Sequence, residues 1–377
     1  MLHGIKSKYI INDFLKPILD RGILLKIIKY NNNLKDIFQI NINDYRDYSK
    51  IIIELITSRC YFSNQKFINY EQQYKPYFHV FFNDDTKEGK YPINLNLGLL
   101  DSFKHFVKSN ITNTKKEMII GHIYAKQKIK KIKVVIDYPV TTLKGLFKGC
   151  FLYKEINFIQ LYRKNITDMS QMFYECSNLS KITFNNFNTV NVKDMSDMFC
   201  VCKRLKTIDL SKFNTSNVID MSFMFAECEE LENLDLTKFR TGNLTRTTGM
   251  FSECYKLKNL NVSSFDTKNV FNMSEMFSEC SSIEYLDLKH FDTKNVNYME
   301  KMFDYCSSLK ELDISNFNTD KTLNMNYMFR KCESLIRLNI INFKIDNKCL
   351  MKGIIEGCDS LEDLICTDDV KNKIFKK

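Results

Sequence analysis

A cysteine recurs every 26 residues through the second half of the chain, and this spacing limits the fold more than any other feature. The column contains Cys150, Cys176, Cys202, Cys228, Cys254, Cys280, Cys306, Cys332 and Cys358. No insertion interrupts these nine copies. A fixed period between about 20 and 50 residues is typical of solenoids and repeat arrays, in which each unit packs on the next. The sequence therefore predicts one elongated stack of similar coils.

Each copy also has apolar residues at fixed distances from its cysteine. In the copy at 220–245, Met221, Met224, Phe225 and Cys228 occupy positions i, i+3, i+4 and i+7. This spacing places four apolar side chains on one side of a helix. The pattern therefore predicts a short helix with one buried face in every coil.

Polar and alternating residues surround that apolar stretch. Asp220 precedes it as a candidate N-cap acceptor. Leu234 and Leu236 alternate with polar residues, which predicts a short half-buried strand, and Phe239 fills the returning turn. Each coil is thus predicted to be helix, strand and turn, with the strands of successive coils about 4.8 Å apart in a parallel ladder. The predicted fold class is an α/β solenoid with a short helix and a short parallel strand per coil.

The repeat divides the chain into three regions. We assign residues 131–370 to a solenoid of about nine coils, 371–377 to a basic tail and 1–130 to a smaller α+β N-terminal domain. Strand-like runs occur at 77–82 and 132–136, and the second is predicted to start and cap the solenoid. A cap is needed because the end coil of a solenoid exposes an apolar edge.

Composition narrows the functional classes. Lys and Arg number 55 against 45 Asp and Glu, a mild excess that does not predict nucleic-acid binding. No run of about 18 apolar residues occurs, so no membrane span is expected. The first residues lack the apolar core and cleavage site of a signal peptide, which predicts a cytoplasmic protein. The basic stretch at 126–133 alternates with isoleucines and is predicted to be a strand with one wet face.

The repeat resembles the BspA-like leucine-rich repeat family. The motif F-[ND]-T-x-N-V-x-x-M-S-x-M-F-x-x-C-x-x-L-x-x-L-D-L fits residues 213–236, and the match covers roughly 141–366. The resemblance implies a leucine-rich-repeat-type solenoid and a protein-binding role, often at cell surfaces. This sequence departs from the motif at 246–250 and 320–323, where the Asp-Met-Ser start and the preceding turn differ.

Residues 1–45 are similar to an F-box, because short apolar-rich helical patterns stand ahead of leucine-rich repeats. This similarity implies that the N-terminal segment docks on a ubiquitin-ligase scaffold. A substrate adaptor of a ubiquitin ligase is therefore an alternative to a generic binding scaffold. An adhesion protein at the cell surface is a second alternative, taken from the repeat family.

The cysteine, methionine and phenylalanine columns allow two interpretations each. One thiol per coil could ligate a metal or form disulfides, but a column of small buried residues packing in a reduced protein is favoured. The Met and Phe columns could line a hydrophobic ligand groove, but their spacing favours core packing. We therefore expect no metal and no cofactor. A column of asparagines, fifteen residues after each cysteine, is predicted to form a buried ladder that satisfies turn carbonyls.

The outward positions of the predicted strands form the candidate binding surface. A row of carboxylates and amides stands between the two buried residues of successive strands: Asp209, Asp235, Asn261, Asp287, Asp313 and Asn339. Tyr285 and Arg337 flank this row and belong to residue types enriched in binding hot spots. Three interpretations are open: a solvated face bonded to backbone amides, a partner-binding surface that prefers basic or polar groups, and a row of calcium ligands.

Local signatures of catalysis are missing from the sequence: it has no G-x-S-x-G, H-E-x-x-H, P-loop or kinase motif. We therefore predict no catalytic residues and no enzymatic activity. The predicted function is a protein-protein interaction scaffold whose partner is another protein bound on the solenoid surface.

Overall fold

A computed structural model describes residues 49–57, 65–66, 78–84, 122–123, 129–136 and 140–375. The helical patterns at 1–45, and with them the F-box-like segment, lie outside these residues. The strands are β1 (Ile51–Thr57), β2 (Gln65–Lys66), β3 (Phe78–Asp84), β4 (His122–Ile123), β5 (Ile129–Ile136), β6 (Tyr153–Gln160), β7 (Lys181–Phe184), β8 (Asn233–Asp235), β9 (Asn259–Asn261), β10 (Glu311–Asp313), β11 (Arg337–Asn339) and β12 (Asp363–Ile365). One helix follows, α1 (Asp368–Phe375).

A five-stranded sheet of order β3-β5-β1-β6-β7 covers the first coil. Strand β1 alternates buried and half-buried residues, because Ile51, Ile53 and Leu55 face the core. It pairs antiparallel with β5 and β6, whereas β6 pairs parallel with β7, which is already part of the solenoid. Both strand-like runs of the sequence lie in strands of this sheet, β3 and β5. In β5 Ile132 is buried and Lys133 exposed, so the predicted wet face of this basic strand is confirmed there.

The 26-residue register is confirmed as a parallel stack of coils. A ladder of eight bridges joins nine successive positions: Thr142, Asp168, Asp194, Asp220, Arg246, Asn272, Tyr298, Asn324 and Leu350. The strands pair at the same step, for example Leu312 with Leu338 and Leu338 with Leu364. The solenoid interior and the N-terminal sheet share one apolar core, which runs from Ile51 to Val370. The fold is therefore a parallel β-solenoid with 26 residues per coil.

The predicted helix of each coil is wrong for the described residues. In the copy at 221–228, Met224, Ala226 and Cys228 donate their amides to carbonyls three residues back, which closes tight turns rather than helical turns. The amides of Met221, Phe223, Phe225 and Glu227 instead donate to carbonyls of the next coil. We call this segment and its equivalents the turn side, and the face formed by β6 to β12 and their equivalents the strand side.

Coil spacing explains why turns replace helices. Neighbouring coils bond backbone to backbone on the turn side, for example from the Phe225 amide to the Met250 carbonyl over 2.9 Å. Backbones bonded in this way lie about 4.8 Å apart, whereas packed helices need about 10 Å. The apolar spacing i, i+3, i+4, i+7 does not separate the two structures, because two successive four-residue turns bury the same positions.

The turns require left-handed backbone at two positions per coil. In the copy at 221–228 these are Phe223 and Glu227, both at φ 55°. A positive φ at the third residue is the mark of a type II turn. Glycine takes these positions in the first and last coils, at Gly145, Gly149, Gly353 and Gly357. Most other coils place residues with side chains there, and Val201, at φ 61°, is β-branched.

Buried threonines hold the turns that lead from the strand side to the turn side. Thr267 is 1% exposed, and its hydroxyl donates to the Asp292 carbonyl over 3.0 Å and accepts the Asp292 amide over 2.8 Å. The same reciprocal pair recurs at Thr189, Thr215, Thr241, Thr293 and Thr319. Each hydroxyl thus replaces two backbone bonds between coils.

Identical side chains stack along the core. The phenylalanine rings from Phe147 to Phe329 stack on their neighbours at centroid distances of 5.4–5.9 Å. The methionines of the same segments are buried, so core packing is confirmed over a ligand groove for these two columns.

The C-terminal helix α1 packs on the last coils. Val370 of α1 is buried, and the Lys373 ammonium donates to the Ile345 carbonyl. Residues 371–375, expected to be part of a basic tail, belong to this helix.

The threonine pairs predict a large effect of a nearly isosteric change. Thr267→Val leaves the half-buried amide and carbonyl of Asp292 without the hydroxyl, and we expect the free energy of unfolding to fall by about 2–4 kcal/mol. Thr267→Ser keeps the hydroxyl and loses one methyl group, which costs about 1 kcal/mol. Urea denaturation followed by circular dichroism measures both. Equal losses in the two variants would show that the hydrogen bonds contribute nothing.

The left-handed turn positions predict a stabilising substitution. A side chain in left-handed backbone costs about 1–2 kcal/mol, and β-branching adds to this. We therefore expect Val201→Gly to raise the thermal midpoint. Val190 is half-buried like Val201 but is not among the positive-φ residues, so Val190→Gly should lower the midpoint as glycine usually does. A fall of the midpoint in both variants contradicts the turn geometry.

Candidate interaction surface

The predicted row of polar side chains lies on the strand side, where the structure leaves it exposed. Asp209, Asp235, Asn261, Asp287 and Asp313 are exposed, and Asn339 is half-buried. Their flanking apolar residues, such as Leu234 and Leu236, point into the core. The alternation follows from strand geometry, in which successive side chains point to opposite faces.

Each member of this row accepts a hydrogen bond from the backbone amide two residues later. The donors are Ser211, Thr237, Ser263, Lys289, Ser315 and Ile341, at 2.9–3.3 Å. These side-chain turns end the strand and begin the return of the coil. The amide of Ser211 lowers the pKa of Asp209, that of Thr237 lowers the pKa of Asp235, and the hydroxyl and amide of Ser315 lower that of Asp313. These carboxylates therefore stay ionised at neutral pH.

Strand pairing is interrupted along this face. Strand β6 pairs with β7, β8 pairs with β9, and Tyr285 begins a third block that continues through β10, β11 and β12. Within residues 140–375, no strand pairing joins β9 to 285–287. Side chains still join the coils at this break: the His290 ring nitrogen lies 2.7 Å from the Val262 carbonyl, and the Ser282 hydroxyl donates to the Tyr255 carbonyl over 2.6 Å.

An open groove of about 830 Å³ lies at the break, and we call it the Tyr285 groove. Its lining includes residues of β8 and β9 and the segment 282–287, among them Asp235, Asn261, Tyr285 and Asp287. The Tyr285 side chain is among the most exposed large apolar groups, at 65%. The Lys310 ammonium lies 5.7 Å from the centre of its ring and forms an ion pair with Glu284 at 2.6 Å.

The structure thus brings four of the eight predicted site residues into one groove. Asp209, Asp313, Asn339 and Arg337 lie on the same face but do not line it. Arg337 pairs with Asp363 at 3.1 Å. Sequence reasoning missed Lys258 and Glu284 of the lining, and it missed the break itself. The repeat gives no sign of the break, since the copies on both sides share the same motif.

The asparagine column forms the predicted bonds but is not buried. The side-chain amides of Asn191, Asn217, Asn243, Asn269 and Asn295 donate to carbonyls of the preceding coil over 2.7–2.8 Å. Most of these side chains are exposed rather than interior. The reason is that the turn carbonyls they satisfy lie at the outer edge of the coil.

The cysteine column faces inward, and its thiols are free. Each thiol from Cys176 to Cys358 donates to the carbonyl of the phenylalanine 29 residues before it, over 3.0–3.3 Å. Burial raises the pKa of Cys254 to about 12. The column is therefore a row of neutral hydrogen-bond donors and not only apolar filler. Among the described residues, no group of three or more His, Cys, Asp or Glu side chains is arranged to hold a metal ion.

The end of the column differs from its middle. Cys358 is half-buried, and its interaction with the neighbouring Cys332 lowers the pKa of its thiol. Because the thiolate is the reactive form, the two positions should differ in chemical reactivity. We expect N-ethylmaleimide at pH 7.5 to label Cys358 at least about a hundredfold faster than Cys254 in the folded protein.

Peptide mass spectrometry of protein labelled for increasing times measures this ratio. The same labelling in guanidinium chloride is the control and should remove the difference, because unfolding exposes all thiols. Similar rates for Cys254 and Cys358 in the folded protein would contradict an inward-facing column.

Coils in strict 26-residue register, a continuous bridge ladder and a shared core define the class: a parallel β-solenoid repeat protein. A family described as "Mycoplasma protein of unknown function, DUF285" matches the chain twice, over 141–261 and 248–368. The two matches span more than half of the chain, and the chain belongs to this family. No protein of curated function matches it.

Among solved structures, the chain is similar to one described as the TLR13-ssRNA13 complex. The two are 15% identical with a TM-score of 0.19, and the match covers 55% of this chain and 42% of that one. The match thus spans less than half the length of that chain, and a likeness of this extent carries no argument about function.

None of the helices in the described ranges is long and apolar enough to cross a membrane.

Proposed function

We propose that the protein is a non-catalytic scaffold that binds another protein through the strand side of its solenoid. The observation that carries this proposal is the Tyr285 groove, which combines an exposed tyrosine, ionised carboxylates and a break in the strand ladder. Tyrosine is enriched in binding hot spots because its rigid ring gives large contact area at little entropic cost. Exposed polar groups around the ring supply the rim that such sites need.

The stiffness of the stack supports the same proposal. Cross-coil hydrogen bonds, stacked phenylalanines and reciprocal threonine pairs hold neighbouring coils in register. A preorganised surface loses little entropy when it binds. We therefore assign to the groove the binding of a partner protein and no catalytic reaction.

We propose the cytoplasm as the location of this scaffold. Free buried thiols along the whole column suit a reducing compartment. The adhesion alternative, which rests on the resemblance to BspA-like repeats, and the ubiquitin-ligase alternative, which rests on residues 1–45, remain predictions from the sequence. The BspA-like assignment itself also remains a resemblance in sequence.

Selection from a displayed library of random peptides tests whether the strand side binds. Peptides that bind the full chain are measured against Tyr285→Ala and against Tyr298→Ala, which removes an exposed ring from the turn side at the start of the next coil. We expect Tyr285→Ala to weaken binding about tenfold or more, as for a hot-spot residue. Tyr298→Ala should leave affinity unchanged.

Equal affinity of the selected peptides for wild type and Tyr285→Ala would contradict the proposal. Such peptides do not use the groove. Thermal midpoints of both variants serve as the control, so that a loss of affinity is not confused with a loss of folding.

A further inference from the structure

We propose that Cys358 and Cys332 form a modification site, at which a hydroperoxide converts the two thiols into a disulfide between neighbouring coils. This inference does not involve the Tyr285 groove and is independent of the proposed function. It follows from three features of the structure: the exposure of Cys358, a carbonyl that Cys358 shares with Cys332, and the backbone bonds between their two coils.

The last coil of the column leaves its interior side chains partly exposed. Four positions that are fully buried in the preceding coil are half-buried 26 residues later, at Met351, Ile355, Cys358 and Leu361. The other eight thiols of the column are buried. Because oxidation of a thiol requires access to solvent, Cys358 is the member of the column that a small oxidant reaches.

One carbonyl oxygen connects Cys358 to Cys332. The Phe329 carbonyl accepts the Cys358 thiol over 3.0 Å and the Cys332 amide over 3.2 Å. Since both donors share this acceptor, the sulfur of Cys358 and the backbone of Cys332 are neighbours. The Cys358 thiol therefore already points toward the coil that holds its reaction partner.

Backbone hydrogen bonds fix the spacing of these two coils beside the cysteines. The Lys331 amide, directly before Cys332, donates to the Glu356 carbonyl over 2.7 Å, and the bridge ladder joins the same two coils. Equivalent positions of backbones paired in this way lie about 5 Å apart. Native disulfides join Cα atoms about 4.4–6.8 Å apart, so the spacing suits a bond between Cys332 and Cys358.

The ionisation of the two thiols supports an order of reaction. The interaction with Cys332 lowers the pKa of Cys358, whereas the interaction with Cys358 and burial raise the pKa of Cys332. An accessible thiol of lowered pKa beside a second thiol is the arrangement found where sulfenic acids are resolved to disulfides. Cys358 is thus the thiol that attacks the oxidant, and Cys332 is the thiol that follows.

The reaction consumes one molecule of hydrogen peroxide in two steps. The Cys358 thiolate attacks one peroxide oxygen, the O–O bond breaks, and the leaving hydroxide takes up the proton that Cys358 had lost. The product is a sulfenic acid and water. The Cys332 side chain then rotates away from the Phe303 carbonyl, to which it donates in the reduced protein.

In the second step the Cys332 sulfur attacks the Cys358 sulfur. The S–S bond forms, the S–O bond breaks, and the hydroxyl leaves as water with the Cys332 proton. The two thiols have lost two electrons, which have reduced the peroxide to two molecules of water. The disulfide then fastens the partly exposed last coil to the fully packed coil before it.

Cys366 provides a matched comparison at the same end of the solenoid. It is half-buried like Cys358. It follows β12 on the strand side, and its equivalent one coil earlier is Ile340, which has no thiol. Burial raises the pKa of the Cys366 thiol. Access to solvent is therefore shared by the two cysteines, whereas a thiol at the equivalent position of the preceding coil is present for Cys358 alone of the two.

Peptide mass spectrometry of the full chain tests the site. Reduced protein is treated with hydrogen peroxide, blocked with iodoacetamide and digested with trypsin and a protease that cleaves before aspartate, which separates Cys358 from Cys366. We expect the peptide pair joined through Cys332 and Cys358 to exceed every other disulfide at least about tenfold, and dithiothreitol to remove it. A disulfide from Cys358 to Cys366, or between two chains, as the main product overturns the inference.

Matched variants test the role of Cys332. Cys332→Ser keeps a hydroxyl donor for the Phe303 carbonyl but cannot close the disulfide. We expect the sulfenic acid of Cys358 to accumulate in this variant, so that dimedone labels it at least about tenfold more than in wild type. Cys366→Ser should leave both the disulfide and the labelling of Cys358 unchanged.

Thermal midpoints of the reduced variants control for folding. Equal dimedone labelling of Cys358 in wild type and in a folded Cys332→Ser overturns the inference, because Cys332 then takes no part. Wild-type Cys358 that stays a free thiol while Cys366 is oxidised overturns it as well.

Discussion

Backbone hydrogen bonds that run directly from one coil to the next set the geometry of this protein. On the turn side, four amides per copy donate to the following coil, and the bridge ladder continues through nine positions without a gap. This bonding fixes a coil spacing of about 4.8 Å. At that spacing helices do not fit, and identical side chains of neighbouring coils must lie in contact. The repeated Met, Phe and Cys columns follow from this single constraint.

The same constraint explains which residue types recur. A stack of phenylalanine rings tolerates the short spacing because parallel rings offset against one another at 5.4–5.9 Å. Thr267 and its equivalents supply a hydroxyl where the turn leaves an amide and a carbonyl without a backbone partner. The cysteine thiol is small enough for the interior and still donates to a carbonyl, which alanine in the same position would not do.

Backbone hydrogen bonding between coils is continuous on the turn side and interrupted on the strand side. The turn side therefore provides stability, and the strand side offers a surface for recognition. The turn side forms backbone hydrogen bonds between every pair of neighbouring coils, so it holds the coils together. The strand side is divided into blocks, and the Tyr285 groove lies at the break between β9 and 285–287. The Asp235 carboxylate beside it serves both purposes, because one oxygen closes a backbone turn while the side chain stays ionised and exposed. The same side chain therefore exposes a negative charge and also stabilises the turn of its own coil.

The period of 26 residues was enough to predict a parallel stack with an interior of Met, Phe and Cys, because a strict repeat leaves few other ways to bury those columns. It was also enough to place Asp235, Asn261 and Asp287 on one exposed row, since strand alternation decides which side chains face out. The helix was wrong because i, i+3, i+4, i+7 spacing fits tight turns equally well, and only the bonds between coils distinguish the two. The exposure of the asparagine column and the break beside Tyr285 were decided by tertiary structure. Both features depend on the position of one coil relative to the next. The repeat motif does not indicate this position, because copies with the same motif occur on both sides of the break.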